Sequence, residues 1–170
     1  MTDDAEAELD RGTSIAAGVL AALAFREWSI GCAESLTGGA LTAVLTEMPG
    51  SSSAVYGGIV SYASEVKVDV LGVSQETVDE CGVVSDECAR EMAEGVRRVL
   101  GVDVGLATTG VAGPTRQEDK PVGRVHIAVV TPDGAHVEQL DLDGERDEIR
   151  YGTVRAVLTA ALEAVAPPDV

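Results

Sequence analysis

A short apolar run, Trp28–Ser29–Ile30–Gly31–Cys32, leads into Ala33–Glu34–Ser35–Leu36–Thr37–Gly38–Gly39 and then Ala40–Leu41–Thr42–Ala43–Val44–Leu45. The first run has the length of a buried strand, and the last has the spacing of a helix. Two adjacent glycines between them let the backbone turn sharply. A strand that feeds a helix in this way opens an α/β unit: the strand lies in a sheet and the helix covers its face. N–H groups at the helix start lack partners within the helix and favour negative charge. A serine at such a junction, Ser35, can be a nucleophile, a helix cap or a phosphate contact.

The rest of the chain repeats the same two kinds of element. Residues 1–10 read as an acidic lead-in, frayed or helical, before one domain over 11–166 and a tail at 167–170. Ile15, Val19, Leu20, Leu23 and Phe25 give Ser14–Arg26 a helical pattern. A strand is expected over 28–33 and a helix over 38–48, broken by Pro49–Gly50–Ser51–Ser52–Ser53. Val55–Tyr62 reads as a strand ending at Ser61–Tyr62, and Ser64 can cap a short helix that carries Lys67. Ser74 opens a helix over 75–81, and Ser85 opens a longer one to Leu100, stopped by Gly101. Val102–Thr109 is a β-rich run, followed by a turn at 110–114 and a charged loop at 115–120. Strands at 123–131 and 135–142 meet at the hairpin turn Pro132–Asp133–Gly134. A final amphipathic helix spans 145–165 and ends at Pro167–Pro168. Alternation early and a hairpin late predict an α/β fold: a mixed β-sheet with helices on both faces, a three-layer α/β/α sandwich.

Charge excludes whole classes of partner. The formal net charge is −17 over 170 residues, which repels nucleic-acid phosphates and anionic membranes. Lys67 and Lys120 are the only lysines against ten arginines, a balance that points to a salty cytosol of the halophilic kind. There the Debye length falls to about 3 Å at 1 M salt and screens self-repulsion. The acidic start, Met1–Asp10, is the reverse of a signal peptide, so a cytoplasmic protein is expected. Cys32, Cys81 and Cys88 form no metal-type pair and read as buried thiols. His126 and His136 are ten residues apart on expected neighbouring strands, so no zinc site is expected from them.

Polar residues that packing does not require gather at four places: the Ser35 junction, Tyr62 to Lys67, Thr108–Pro114, and Arg146 with Arg150. In an α/β sheet, sites form outside strand ends, so these four places can converge. A serine hydroxyl needs a base, and neither histidine stands close in the pattern. A lysine of lowered pKa, or a tyrosine assisted by one, remains. Tyr62 at a strand end and Lys67 in the next helical turn can point at one spot. Pairing of Lys67 with Glu65 or Asp69 on the surface is the alternative. Arg146 and Arg150 share a helical face and can bind an anion or pair with Glu145, Asp147 or Glu148.

The ordered set Ala33–Glu34–Ser35–x–Thr37–Gly38–Gly39, Pro49–Gly50–Ser51–Ser52, Tyr62–x–x–Glu65–x–Lys67, Gly72–Val73, Gly110–Val111–Ala112–Gly113–Pro114 and Lys120–Pro121–Val122–Gly123 resembles the C-terminal domain of the competence/damage-inducible protein CinA. This is the family of nicotinamide-nucleotide amidases called PncC. The resemblance spans about residues 10–165 and looks like the family's stand-alone form, without an extra N-terminal domain. It implies hydrolysis of nicotinamide mononucleotide to nicotinate mononucleotide and ammonia, with no cofactor and a homodimeric assembly. By the same resemblance Ser35 is the nucleophile, and Lys67 with Tyr62 is its activating group. Amides of Thr37, Gly38 and Gly39 would hold either the oxyanion or the substrate phosphate. Thr109, Gly110 and Gly113 would shape the ring or ribose pocket, and Arg146 and Arg150 would meet the phosphate. The runner-up is a non-catalytic nucleotide- or phosphate-binding module on the same scaffold. Three departures stand out: Leu36 for the family's usual cysteine, Ala63–Ser64 for Ser–Asn, and a shortened loop at Thr115–Asp119.

Overall fold

In the computed structural model, which describes residues 1–166, five strands form a single sheet. The elements run α1 (Asp3–Arg26), β1 (Ile30–Glu34), α2 (Ala40–Glu47), a 3-10 turn (Ser51–Ser53), β2 (Val55–Val60), α3 (Ser64–Asp69), α4 (Gln75–Glu80), α5 (Asp86–Leu100), β3 (Val104–Gly110), β4 (Arg124–Thr131), β5 (Gly134–Asp141) and α6 (Arg146–Val165). The strand order is β2-β1-β3-β4-β5. β1 pairs in parallel with β2 and with β3, while β3–β4 and β4–β5 are antiparallel. The parallel pairs are those joined through helices, as a crossover requires, and β4–β5 is the hairpin. The expected mixed, three-layer α/β sandwich is what forms.

Side-chain size decides how each face is covered. On one face, Ile30, Cys32, Leu106, Ile127 and Val129 pack under Leu23 of α1, Leu41 and Leu45 of α2, and Leu158 of α6. On the other face the sheet is nearly bald. Ala33, Ala107 and Ala128 line up across β1, β3 and β4, and Gly31 lies beside Gly105 in register. A Cβ at Gly105 would run into the Ala93 carbonyl of α5, so α5 rests directly on the backbone there. Met92, Ala93 and Val96 of α5 close this second core. With aromatic residues at 3% of the chain, aliphatic side chains and close backbone approach supply the packing. Each fully buried Leu, Ile or Met contributes about 1.5–3 kcal/mol.

Several boundaries differ from expectation. The acidic lead-in takes the helical of its two expected forms and runs on into the first helix: Thr2 caps α1 by accepting from Ala5 N–H, and Asp3, Asp4 and Glu6 sit in the first turn, where the helix dipole favours them. Ala5 is buried, and Glu8 pairs with Arg155 of α6, which ties this turn to the body. β2 ends at Val60, so Ser61 and Tyr62 lie beyond it. Ala63, not Ser64, is the N-cap of α3, with no side-chain cap. β3 begins at Val104 and takes in Gly110, which was expected in the turn. Cys81 is partly exposed, whereas Cys32 and Cys88 are buried as expected. The Pro167–Pro168 stop and the 167–170 tail lie outside the described residues.

Register aligns the strand ends that matter. Glu34 stands opposite both Val60 of β2 and Thr108 of β3. The residues that follow, Ser35, Ser61–Tyr62 and the last residues of β3, Thr109–Gly110, therefore gather along one edge of the sheet. This is where α/β sheets place their sites.

Candidate active site

The Ser35 turn is held from both sides. Ser35 N–H donates to the Thr108 carbonyl at 2.9 Å, and Gly38 N–H donates to the Ser35 carbonyl at 3.1 Å. Gly38 and Gly39 adopt φ of 61° and 99°, a left-handed backbone that lets the chain swing from β1 into α2. Glu34 sits under the turn, fully buried. Its Oε2 accepts from Thr37 Oγ1 at 2.7 Å, Gly39 N at 2.9 Å and Leu41 N at 3.1 Å. Its Oε1 accepts from Thr42 N at 2.8 Å and Thr42 Oγ1 at 2.6 Å. The start of α2, read in the sequence as an anion cradle, already holds an internal carboxylate.

Lys67 reaches this turn from α3. Helical side chains lean toward the N-terminus, which carries its ammonium back under the Ser61–Tyr62 exit. Lys67 is only 1% exposed. Nζ lies 3.0 Å from Ser35 Oγ and 2.6 Å from the Ser61 carbonyl, to which it donates. No carboxylate pairs with it among the described residues, so neither Glu65 nor Asp69 takes the surface role considered above. Burial pushes the Lys67 pKa below its ordinary 10.5, with Cys88 and Glu118 opposing. Burial also lifts the Cys88 thiol to about 12, so that neighbour stays protonated near neutrality.

A cavity of about 300 Å³ opens over Ser35 and Lys67. Tyr62, Thr109, Gly110, Gly113 and Arg146 line it, as do Leu36, Arg116 and Gln117. Tyr62 is 63% exposed, and its hydroxyl accepts from Arg146 Nη2 at 3.2 Å rather than meeting Ser35 or Lys67. Arg146 also donates to the Gly113 carbonyl. Thr109 Oγ1 donates to the Val83 carbonyl at 2.7 Å. A Cβ on Gly110 would come within 2.7 Å of Val125 and of the Arg124 carbonyl, so packing alone demands that glycine.

Thr37, Gly38, Gly39 and Arg150 stand outside the cavity lining. Arg150 donates to the Leu36 carbonyl at 3.3 Å and the Thr37 carbonyl at 2.9 Å, bracing the serine turn from behind. With Gly38, Gly39, Leu41 and Thr42 amides all engaged, two N–H groups of the turn remain. Those of Leu36 and Thr37 donate to no acceptor among the described residues. Leu36 lines the cavity and directly follows Ser35, the position from which a backbone amide can face a developing oxyanion. Its side chain packs with Ala112, Val125 and Ile149.

The shortened loop is itself ordered. Gln117 and Lys120 bridge as a tiny hairpin, with Glu118 and Asp119 at φ of 49° and 58°. Glu118 clips it down by accepting from Val83 N at 3.1 Å and Val84 N at 3.2 Å. Arg116 is thereby carried to the cavity wall. Sequence reasoning missed Arg116, the Ser61 carbonyl and Glu34. The one signal for Glu34 was a carboxylate at the end of an apolar run, beside a helix start that lacks donors' partners.

The histidines do not come together: His126 pairs across strands with Gln139, and His136 with Val129. His126 Nδ1 meets Asp86 Oδ1 at 2.6 Å, buried against α5. Among the described residues no cluster of His, Cys, Asp and Glu is suited to a metal. No helix there is long and apolar enough to cross a membrane.

Proteins similar to this chain in sequence and fold include CinA-like and competence/damage-inducible proteins. The CinA C-terminal domain profile matches residues 12–165. A CinA-like protein of Frankia casuarinae is 51% identical over 140 residues, covering 82% of this chain and 32% of that protein. A CinA-like protein of Fervidobacterium nodosum is 41% identical over 124 residues, covering 72% and 30%. The chain thus spans about a third of the length of the curated relatives it matches. Among solved structures, the competence/damage inducible protein CihA from Agrobacterium tumefaciens superposes with a TM-score of 0.86 at 35% identity, covering 91% of this chain and 95% of that one. The competence damage-inducible protein A from Klebsiella pneumoniae does so with 0.86 at 32%, covering 89% and 95%.

Proposed function

Because the chain belongs to the CinA C-terminal domain family, we propose that it is an amidohydrolase converting nicotinamide mononucleotide to nicotinate mononucleotide and ammonia. The observation that carries this reading is the contact between Lys67 Nζ and Ser35 Oγ, 3.0 Å apart at the floor of a cavity with arginines in its wall. A buried lysine of lowered pKa beside a serine is a nucleophile with its base.

In the reaction, neutral Lys67 accepts the Ser35 proton as Oγ bonds to the carboxamide carbon. One of its own N–H groups stays on the Ser61 carbonyl and fixes the lone pair on Oγ. The carbonyl oxygen becomes an oxyanion facing the Leu36 amide. Collapse breaks the C–N bond, and Lys67 returns its proton to the departing nitrogen, which leaves as ammonia. Water then attacks the acyl-serine and gives a proton to Lys67; the C–Oγ bond breaks, that proton goes back to Ser35, and the carboxylic acid leaves and loses its own proton to solvent. General base assistance of this type is worth about 10²–10⁴-fold.

Arg146 and Arg116 are the guanidinium groups in the cavity wall and would meet the substrate phosphate. Arg150 and the α2 amides are engaged elsewhere. Tyr62 forms the wall and steadies Arg146. A volume of about 300 Å³ is at the small end of small-molecule sites, which suits one mononucleotide ring system with its phosphate at the mouth.

The test is ammonia release from nicotinamide mononucleotide by purified protein in high salt, with Ser35→Ala as control. Folded protein that releases none between neutral and alkaline pH overturns the reading.

A further inference from the structure

Glu34 has no part in the proton transfers above, yet it is the most heavily engaged side chain at the site. All five of its contacts, to Thr37 Oγ1, Gly39 N, Leu41 N, Thr42 N and Thr42 Oγ1, come from donors at the start of α2. Through its main chain it also binds Ser61, because Ser61 N–H donates to the Glu34 carbonyl at 2.8 Å. Ser61 in turn holds Lys67 Nζ. One residue thus links the turn that carries the nucleophile to the segment that holds its base.

We infer that Glu34 is a positioning residue for Ser35: an internal anion that binds the N-terminus of α2 and so sets the Ser35–Thr37 turn. The physical reason is accounting of donors. Amides at a helix start must find acceptors when buried, and here a single carboxylate satisfies three of them. With those donors fixed on a buried carboxylate, the turn from Ser35 to Gly39 is held in one conformation. The Leu36 and Thr37 N–H groups stay available, and Ser35 Oγ stays aimed at Lys67. The same carboxylate keeps a substrate phosphate away from the helix start by like charge, leaving that group to the arginines of the cavity wall.

Glutamine cannot do this work. Its amide has one acceptor oxygen, and its NH₂ would face N–H donors in either orientation: Thr42 N on one side, Gly39 N and Leu41 N on the other. The inference rests on Ser35 being the nucleophile of the proposed amidase, so the test reads Ser35 directly as well as through ammonia. Wild type, Glu34→Gln and Thr42→Val are compared in high salt, well below each unfolding midpoint. The rate of Ser35 labelling by a fluorophosphonate probe is measured beside kcat and KM for nicotinamide mononucleotide.

Glu34→Gln is expected to lower both the labelling rate and kcat on the order of 100-fold, as about 1 Å of misplacement does, with KM within about 3-fold. Thr42→Val removes one hydroxyl donor but keeps the amide, and is expected to lose about 3- to 10-fold by the same route. A role in stability alone would lower the midpoints and leave labelling unchanged; that result in either folded variant overturns the inference. Should Glu34→Gln fail to fold, Thr42→Val decides. Wild type that labels at Ser35 but releases no ammonia defeats the amidase reading alone, and the labelling rates still judge Glu34. Wild type that neither labels nor hydrolyses defeats both.

Discussion

Lys67 Nζ lies 3.0 Å from Ser35 Oγ across 32 residues of sequence, and the lysine is held there by the Ser61 carbonyl rather than by a carboxylate. A carboxylate partner would stabilise the ammonium. A carbonyl in a buried setting does so less, which is why burial dominates and the pKa falls.

From that pair follows the first prediction. Ser35→Ala and Lys67→Met should each lower kcat for ammonia release by about 10³-fold or more, with circular dichroism unchanged. Lys67→Arg should not restore it, because a guanidinium stays protonated and cannot accept the serine proton. Turnover within 10-fold of wild type in any of the three would remove the corresponding role.

The second prediction concerns pH. With Lys67 as the proposed base, kcat/KM should climb with pH through the folded-state pKa of Lys67, which lies below 10.5. Stability shares the sign. The folded pKa lies under the unfolded one, so between them the unfolded chain binds more protons and stability rises with pH. Wild type should therefore gain on Lys67→Met in urea unfolding as pH rises from the folded pKa towards 10.5. A difference that is flat or shrinks over that window contradicts a depressed lysine.

Third, the two arginines of α6 should behave differently. Arg146→Ala should raise KM for the mononucleotide by about 10- to 100-fold, the range of a lost charge-assisted hydrogen bond, and leave the unphosphorylated riboside little affected. Arg150→Ala removes donors from the Leu36 and Thr37 carbonyls, so its loss should fall on kcat and on the unfolding midpoint. Tyr62→Phe should cost a few-fold in KM through Arg146, at the scale of a neutral hydrogen bond. A kcat drop beyond about 100-fold in Tyr62→Phe would instead put the phenol in the proton path.

Fourth, Gly95→Ala should destabilise, although alanine is the better helix former by roughly 1 kcal/mol. A Cβ there would strike the Leu71 carbonyl, a backbone atom that cannot swing aside. The expected net loss is about 1–3 kcal/mol in denaturant unfolding, typical of overpacking. A more stable variant would mean that α5 and the Leu71 segment can part without cost.

How far the fold is legible in sequence depends on the distance over which each cause acts. Apolar period, glycine stops and the caps Ser74 and Ser85 act within a few residues, and those elements lie close to where pattern puts them. Thr2 is also a local cap, but acidic composition masks it, and the first turns of α1 are secured only by Ala5 burial and Arg155 from the far end of the chain. Ser64 fails as a cap because the extended residue before α3 is Ala63, where the chain leaves Ser61 to reach Lys67. Arg146 and Arg150 share a helical face in sequence. Only the packing of α6 against the serine turn separates a guanidinium in the cavity from one behind it.

The amino-acid order by itself determined the α/β alternation, the late hairpin, the strand–turn–helix around Ser35 and the family, because these are set by local propensity and ordered motifs. Tertiary structure alone decided which groups share a spot. Parallel register brings the ends of β1, β2 and β3 to one edge, and burial there lowers the pKa of Lys67. It also turned the Gly39, Leu41 and Thr42 amides away from any ligand and onto Glu34. A buried helix start takes the acceptor that folding brings nearest, and no spacing along the chain names that acceptor in advance.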